Sequence, residues 1–151
     1  MEKLTRRQAR ENAFIAMFEA SFGGDIQDIV ALSREEGAEH AVDAFGEELL
    51  FLYGQNSKQV NEAIESKLKG WKVNRLARVN LALLRLAVTE MRFGQQGMES
   101  VVINETVELA KKYADSEDYQ FVNGVLGILA REHDGNDNND EQEQPPALGL
   151  E

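Results

Sequence analysis

The sequence predicts an all-α protein of about seven helices, and three observations support this fold class. No proline occurs before residue 145, so proline interrupts no helix over most of the chain. Apolar residues recur three and four positions apart, which is the spacing of one helix face rather than of a strand. Glycine and asparagine fall between the apolar segments, where helices end and turns form.

The first two helices are predicted from their capping residues. Thr5 and Gln8 have the spacing of a capping box, in which each side chain satisfies a free backbone N–H of the first turn. The helix that they open is expected to last until the glycines at residues 23–24. Asp25 then caps a shorter second helix that ends near Gly37.

The next two helices are predicted from apolar faces. The third presents one face made of Ala38, Val42, Phe45, Leu49 and Leu52. It is expected to stop at residues 54–56, which are Gly-Gln-Asn. Ser57 caps a fourth helix, whose inward residues are Val60, Ile64, Leu68 and Trp71.

Three further helices complete the predicted fold. The fifth, from Asn74 to about Phe93, is apolar on two sides and is therefore expected to be central. The sixth has one apolar face, made of Ile103, Val107, Ala110 and Ala114. The seventh covers residues 118–131. Its inward residues are Val125, Leu129 and either Phe121 or Val122. It also contains Gly124 and Gly127, for which we predict close approach of another backbone.

The net charge of −11 is unevenly distributed along the chain. Residues 1–22 carry +1, residues 23–70 carry −6, residues 71–131 carry +1 and residues 132–151 carry −7. The last segment combines acidic and small polar residues with both prolines, a composition that buries almost nothing. We therefore predict a folded domain over residues 1–131 and a disordered acidic tail after it. The folded part alone carries −4, which leaves room for a basic surface.

The composition also excludes several kinds of site. The chain has no cysteine, which excludes disulfides, thiolate metal sites and cysteine nucleophiles. The two histidines, His40 and His133, are far apart in sequence, and we predict no catalysis, no metal and no cofactor. No apolar run approaches the ~18 residues of a membrane helix. Because the first residues also lack the apolar stretch of a signal peptide, we expect a cytoplasmic location.

The first helix carries the most informative side chains. Four alanines form one stripe, at residues 9, 13, 16 and 20, which favours tight packing against another helix. Arg6, Arg7 and Arg10 lie in the first turns, where cations oppose the helix dipole, so a role other than helix stability is indicated. With Phe18 as a flat platform, they have the composition of a site for single-stranded nucleic acid. The alternative is a solvated helix start beside a core phenylalanine.

Four short blocks stand out along the chain. They are Arg6-Arg7-x-Ala9-Arg10-Glu11-x-Ala13, Leu84-Arg85-Leu86-Ala87-x-x-Glu90, Ile103-Asn104-Glu105-x-Val107-Glu108-Leu109-Ala110-Lys111 and Phe121-Val122-Asn123-Gly124-Val125-Leu126. In order and spacing, these blocks resemble the NusB family of bacterial transcription antitermination factors. The resemblance covers about residues 4–130, and the last two blocks are its most specific part.

The resemblance implies an all-helical fold of two three-helix subdomains with an extra helix, and no catalysis. Members of the family bind the boxA element of nascent RNA, especially ribosomal RNA leaders, as a heterodimer with NusE, a ribosomal protein of the small subunit. The heterodimer then joins NusA, NusG and RNA polymerase to suppress termination. The resemblance therefore implies an RNA-binding transcription factor with these partners.

The resemblance also implies which residues contact RNA. The candidates are, in chain order, Arg6, Arg7, Arg10, Phe18, Arg85, Phe121 and Asn123. Phe18 stands where the family usually has tyrosine, so it keeps the stacking ring and lacks the hydroxyl. We expect Arg7→Ala or Arg10→Ala to weaken binding to boxA RNA while the protein stays folded.

Alternative interpretations of three candidates remain open at this point. Phe121 is at helical spacing from core valines and is equally well a core residue. Asn123 can serve helix packing alone. Arg85 interrupts an apolar helix, so a structural salt bridge to Glu90 or Glu105 is an alternative to RNA contact.

Two other functions compete with RNA binding. One is a protein–protein adaptor that never touches RNA, and the other is an accessory domain of a ribosomal RNA methyltransferase, although the chain has neither a methyl-donor domain nor a cysteine. A basic partner is expected because residues 23–70 are acidic. Some relatives have acidic residues where this chain has Lys72, Asn74, Arg75 and Arg78. The residues of the NusE interface are therefore not transferred from those relatives. A homodimer that covers the arginines also stays open.

Overall fold

The protein is described by a computed structural model over residues 3–133, in which all regular secondary structure is helical. The α-helices in this range are α1 (Arg6–Ala20), α2 (Ile26–Ser33), α3 (Ala44–Glu65), α4 (Arg78–Phe93), α5 (Glu99–Tyr113) and α6 (Asp118–His133). A short 3-10 helix, Val73–Arg75, precedes α4. The predicted all-α fold class is therefore confirmed.

Helix α1 begins at the predicted capping box and packs through its alanine stripe. Thr5 Oγ1 accepts from the Gln8 backbone N–H at 3.1 Å, and the Gln8 side chain accepts from the Thr5 N–H at 3.0 Å. Ala13 is fully buried, and a Cβ added to Gly46 of α3 would lie 3.3 Å from its Cβ. The close approach predicted for Gly127 is wrong, since a Cβ there would meet one side chain of its own helix at 3.6 Å.

The predicted third and fourth helices form a single kinked helix, α3. Asp43 caps its start by accepting from the Gly46 N–H at 2.8 Å. The stop predicted at residues 54–56 is only a local kink, in which Asn56 leaves the helical conformation (φ −125°, ψ 21°). The Asn56 side-chain amide donates to the Leu52 carbonyl at 2.9 Å. Because this carbonyl keeps a partner, the helix resumes after the kink.

Other predicted boundaries also shift. Helix α2 ends before Gly37, which lies in the following turn with φ +89°. Helix α4 begins at Arg78 rather than Asn74, because Asn74 lies inside the preceding 3-10 helix. Trp71 was predicted to face inward, but it is 39% exposed because α3 ends at Glu65 and the chain is no longer α-helical at Trp71.

Helix α5 turns a different face inward from the predicted one. The buried residues are Val102, Thr106 and Ala110, whereas Ile103 and Val107 are only partly buried. Thr106 is polar and therefore lies outside the predicted apolar face. Its hydroxyl donates to the Val102 carbonyl at 2.7 Å, so the side chain can be buried with its hydrogen bond satisfied.

Helix α4 is central, as predicted. It packs against α1, α3, α5 and α6, and both of its apolar stripes are buried. Helices α1, α2 and α3 pack together, and so do α4, α5 and α6. The fold is therefore two groups of three helices joined through α4, and this arrangement brings the start of α1 against α5.

Helix α6 ends two residues beyond the predicted end of the seventh helix. The helix reaches His133 rather than residue 131, and Glu132 forms an ion pair with Lys67. The rest of the predicted acidic tail lies outside the described residues. Within residues 3–133, no helix has both the length and the apolar character needed to cross a bilayer.

Candidate nucleic-acid interface

Arg7 lies on the surface where α1 meets α5. Its side chain is 70% exposed, and its Nε and Nη2 atoms each donate to one carboxylate oxygen of Glu105 at 2.9 Å. These hydrogen bonds hold the pKa of the Glu105 carboxyl below its usual value. A guanidinium has five N–H donors, so Arg7 can still donate to a phosphate while Glu105 holds it in place.

Arg6 and Arg10 have different environments, although the sequence grouped them with Arg7. Arg6 is exposed, and its guanidinium carbon lies 4.1 Å from the centroid of the Phe45 ring, a cation–π contact. Arg10 is only 5% exposed, and its Nε and Nη2 atoms donate to the two carboxylate oxygens of Glu90 at 2.9 and 2.7 Å. Arg10 therefore has a structural role, and its replacement by alanine is not expected to leave the fold intact.

Arg85 lies on the side of α4 that faces α3. Its Nε donates to Asn61 Oδ1 at 2.9 Å, and its guanidinium lies 5.7 Å from the centroid of the Tyr53 ring. The alternative of a salt bridge to Glu90 or Glu105 is wrong, because the arginines of α1 already bind both glutamates. Arg85 is thus not part of the surface around Arg7.

Phe121 and Asn123 point to opposite faces of α6. Phe121 is fully buried in the hydrophobic core, which matches the alternative interpretation of this residue. Asn123 is exposed, because two residues along a helix correspond to a rotation of about 200°. Only Asn123 of this pair is available on the surface to a ligand.

A groove of about 730 Å³ opens between α1, α5 and α6, and we call it the α5–α6 groove. Its lining is polar for the most part and comprises Arg7, Asn104, Glu105, Val107, Glu108, Lys111, Tyr119, Gln120, Asn123 and Gly124. Lys111 Nζ lies 5.2 Å from the centroid of the Tyr119 ring. Arg7 and Asn123, which are 116 positions apart in sequence, therefore meet in one recess.

A second recess continues this surface along α1 and α5. It shares Arg7, Glu105, Glu108 and Lys111 with the α5–α6 groove and adds Arg10, Glu11, Leu109 and Lys112. Lys112 Nζ donates to Glu11 Oε2 at 2.6 Å, and the Tyr113 hydroxyl donates to the same oxygen. The hydrogen bond from Lys112 is the main cause that lowers the pKa of the Glu11 carboxyl.

Phe18 belongs to a row of four aromatic rings, which we call the aromatic row. The ring centroids are 5.2 Å apart from Tyr113 to Phe14, 6.4 Å from Phe14 to Phe18 and 5.2 Å from Phe18 to Phe22. Phe14 is buried and Phe18 is partly buried, whereas Tyr113 and Phe22 are exposed at the two ends. The predicted stacking platform is therefore one ring of a longer series.

The candidates predicted from the sequence lacked several residues of this surface, among them Lys111, Lys112, Tyr119 and Gln120, and they also lacked Tyr113 of the aromatic row. A signal for them exists in the sequence. Lys-Lys-Tyr closes α5, and Tyr-Gln stands directly before the Phe-Val-Asn-Gly block. Their common location depends on how α5 packs against α6, which local spacing does not reveal.

The surface has a mixed charge rather than a strong positive one. Its cations are paired as Arg7–Glu105, Lys111–Glu108 and Lys112–Glu11. Attraction of a polyanion by charge alone is therefore weak. Guanidinium and amide donors, together with exposed rings, favour a ligand that offers both phosphates and stacking bases, which is the chemistry of single-stranded nucleic acid.

Comparison with known proteins identifies a family that the chain matches. Residues 7–131 match the model of the NusB family. The transcription antitermination protein NusB of Bacillus cereus strain B4264 is 37% identical over 128 residues, which cover 83% of this chain and 97% of that protein. The NusB of Bacillus anthracis strain A0248 is also 37% identical, with the same coverage.

Solved structures share the fold. T. maritima NusB superposes with a TM-score of 0.77 at 30% identity, over 87% of this chain and 94% of that one. A crystal structure of the antitermination factors NusB and NusE in complex with dsRNA gives a TM-score of 0.70 at 26% identity, over 84% of this chain and 96% of that one. On the match of residues 7–131 and the identity to these relatives, the chain belongs to the NusB family.

Proposed function

We propose that the protein is a non-catalytic transcription antitermination factor that binds boxA-type single-stranded RNA of nascent transcripts as a heterodimer with NusE. The observation that carries the proposal is the α5–α6 groove, where the exposed Arg7 meets the exposed Asn123 and the lysine and amides of α5 and α6. The solved complex of a related NusB with NusE and dsRNA supports both partners. The RNA in that complex is double-stranded. Binding of single-stranded and double-stranded forms of one boxA sequence is therefore to be compared.

A protein partner fits the charge of the molecule. The exposed cations of the surface are partly neutralised by carboxylates, so RNA binding by this chain alone is weak. Residues 23–70, which form α2 and α3, carry −6 and can attract a basic protein such as NusE. Such a partner adds positive charge to the joint surface, and we expect RNA affinity to rise when NusE is present.

Replacing Arg7 with alanine is expected to weaken binding to boxA RNA at least about tenfold, because it removes a charge-assisted hydrogen-bond donor. The measurement is fluorescence anisotropy of a labelled RNA at one fixed salt concentration, with and without NusE. The melting temperature is expected to change little, because the Arg7 side chain is 70% exposed.

Arg34→Ala is the matched control for this variant. Arg34, which directly follows α2, also forms an exposed pair with a glutamate, Glu47 of α3. We expect RNA binding measured without NusE to be unchanged in Arg34→Ala. Equal RNA affinity of the wild type and Arg7→Ala would show that the groove is not the RNA site.

Glu105→Gln is expected to strengthen RNA binding about two- to fivefold, because it removes a negative charge from the groove in which the RNA phosphates are expected to lie. The loss of stability is expected to be small, because exposed ion pairs contribute little to it. The glutamine keeps the shape of the side chain and a carbonyl that can accept from Arg7. The gain is expected to shrink as salt concentration rises. Glu47→Gln, measured without NusE, is the control, and a loss of affinity in Glu105→Gln would instead mean that the carboxylate must position Arg7.

A protein–protein adaptor without RNA contact is the second candidate, favoured by the pairing of the surface cations with carboxylates. A pull-down with NusE and labelled boxA RNA separates the two functions, since the adaptor recruits NusE alone. The proposal also includes assembly with NusA, NusG and RNA polymerase, and a cytoplasmic location. It further includes a homodimer that covers the arginines. Sedimentation analysis with and without RNA tests the homodimer.

A further inference from the structure

We propose that residues 134–151 bind back onto residues 66–75, between α3 and α4, and keep other polyanions away from that surface. We call residues 134–151 the acidic segment and residues 66–75 the basic link. The inference goes beyond the proposed function, because this binding within the chain needs neither boxA RNA nor NusE.

The basic link and the acidic segment have opposite charges. The link contains four basic residues and no acidic residue within ten positions, although the whole chain carries −11. The acidic segment contains six acidic residues and no basic residue. Five of these six lie within residues 134–143, the part of the segment that directly follows α6. The two segments are therefore complementary in charge.

The exposed cations of the basic link are not neutralised by nearby carboxylates. Lys69, Lys72 and Arg75 are exposed, and within the part of the chain that the structure describes none of them forms an ion pair. The preceding carboxylate, Glu65, accepts a hydrogen bond from the Val73 backbone N–H at 2.8 Å instead. An anion that binds the link therefore meets cations whose charge is still available.

Helix α6 ends beside the basic link. Glu132, in the last turn of α6, forms an ion pair with Lys67 of the link. An extended chain spans about 3.3–3.6 Å per residue, so residues 134–143 can reach about 33–36 Å. By the same rule, Lys67 and Arg75 are at most about 29 Å apart. The carboxylates that follow α6 can therefore reach each cation of the link.

The α5–α6 groove is a less favourable site for the acidic segment. Asn123 of the groove and His133 are ten residues apart on α6, a distance of about 15 Å along the helix. The groove also contains Glu105 and Glu108, which repel an acidic chain. At the link, by contrast, the segment is tethered close to its site, at a local concentration on the order of millimolar. It can therefore compete there with free polyanions.

Trp71 makes this binding measurable. It lies in the basic link, it is 39% exposed, and it is the only tryptophan of the protein. The Arg75 guanidinium carbon lies 5.0 Å from the centroid of its ring. A segment that binds the neighbouring cations also covers part of this ring. Quenching of tryptophan fluorescence by acrylamide, which is uncharged, therefore reports on the contact itself rather than on the charge of the protein.

The first experiment compares the wild type with a full-length variant whose acidic segment is largely neutral. We expect the acrylamide quenching constant of Trp71 to be about twofold higher in the variant, and the difference to disappear at about 0.5 M salt, where charges are screened. The neutral-segment variant carries Asp134→Asn, Asp137→Asn, Asp140→Asn, Glu141→Gln and Glu143→Gln.

The second experiment measures binding of a labelled heparin oligosaccharide, a polyanion that is not RNA. We expect the neutral-segment variant to bind it about three- to tenfold more tightly than the wild type at low salt, because the link cations are then accessible. When Lys69→Ala and Lys72→Ala are also present, neutralising the segment should have no further effect. Lys58→Ala, which changes an exposed lysine of α3, is the matched control and should preserve the gain.

Three outcomes overturn the proposal. If acrylamide quenches Trp71 equally in the wild type and the neutral-segment variant, the acidic segment does not cover the link. If neutralising the segment tightens heparin binding equally with and without Lys69→Ala and Lys72→Ala, the segment acts only through net charge. If Lys58→Ala abolishes the gain, the segment binds α3 instead. These measurements involve neither boxA RNA nor NusE, so their failure leaves the proposed function unaffected, and failure to bind boxA RNA leaves this inference unaffected.

Discussion

Glu90→Ala is expected to lower the free energy of unfolding by about 3–5 kcal/mol. The substitution removes the carboxylate that accepts two hydrogen bonds from Arg10, and Arg10 is then a 5% exposed guanidinium without its anion. Arg10→Ala is expected to cost a similar amount, because it leaves the 4% exposed Glu90 carboxylate unpaired. Equilibrium unfolding in urea, followed by far-UV circular dichroism, measures both changes.

Two controls separate burial from ion pairing. Glu47→Ala removes the partner of Arg34 in an exposed pair and is expected to cost less than about 1 kcal/mol. The double variant Arg10→Met with Glu90→Leu replaces the buried pair by apolar groups and should recover most of the lost stability. If Glu90→Ala costs no more than Glu47→Ala, the Arg10–Glu90 pair is not desolvated as the structure describes.

The buried pair changes how an RNA-binding experiment on the arginines is interpreted. Arg7→Ala is expected to lose RNA affinity with its fold intact, whereas Arg10→Ala is expected to lose affinity through unfolding. Melting curves of both variants, recorded in the RNA-binding buffer, distinguish the two causes. If Arg10→Ala has normal stability but binds RNA more weakly, Arg10 contacts the RNA directly.

Phe121→Ala is expected to lower the free energy of unfolding by about 3–5 kcal/mol, because it removes a large ring from the core and leaves a cavity. The Phe121 side chain is fully buried among the apolar residues of the hydrophobic core. Urea unfolding measures the loss, and an unchanged denaturant slope would show that the substitution changed stability rather than the surface exposed on unfolding.

Phe121→Leu and Asn123→Ala separate a core role from an RNA-binding role. Leucine fills most of the space of the ring but cannot stack on a base, so Phe121→Leu should keep most of the stability and all of the RNA affinity. Asn123→Ala should change stability by less than about 0.5 kcal/mol, because the side chain is exposed, and should weaken RNA binding. Loss of RNA affinity in a stably folded Phe121→Leu variant would contradict the core assignment.

The elements of the fold were predicted most accurately where one local interaction defines them. The capping box of Thr5 and Gln8 starts α1 as predicted, and Asp25 caps α2 by accepting hydrogen bonds from two backbone N–H groups. The two apolar stripes of α4 correctly indicated the central helix. Each of these signals involves residues within a few turns of one another, so the sequence displays them directly.

Predictions were wrong where a local signal was overruled by packing or by a side-chain hydrogen bond. Glycine and asparagine at residues 54–56 indicated a stop, but the hydrogen bond from Asn56 to Leu52 reduces it to a kink. Thr106 is polar and lies outside the predicted apolar face of its helix, but its hydroxyl is satisfied inside that helix. In both cases a polar side chain bonds to the backbone four residues earlier, and helical spacing alone does not show this.

Residue patterns along the chain were enough to predict the helical class, the central position of α4, the acidic character of the molecule and the family resemblance. Which candidate residues face solvent depended on how the helices pack. Arg7 and Arg10 are three positions apart on one helix, yet Glu105 of α5 binds Arg7 at the surface and Glu90 of α4 binds Arg10 in the interior. The physical reason is that burial and ion pairing depend on the partner helix, and that partner lies 80 or more positions away in the sequence.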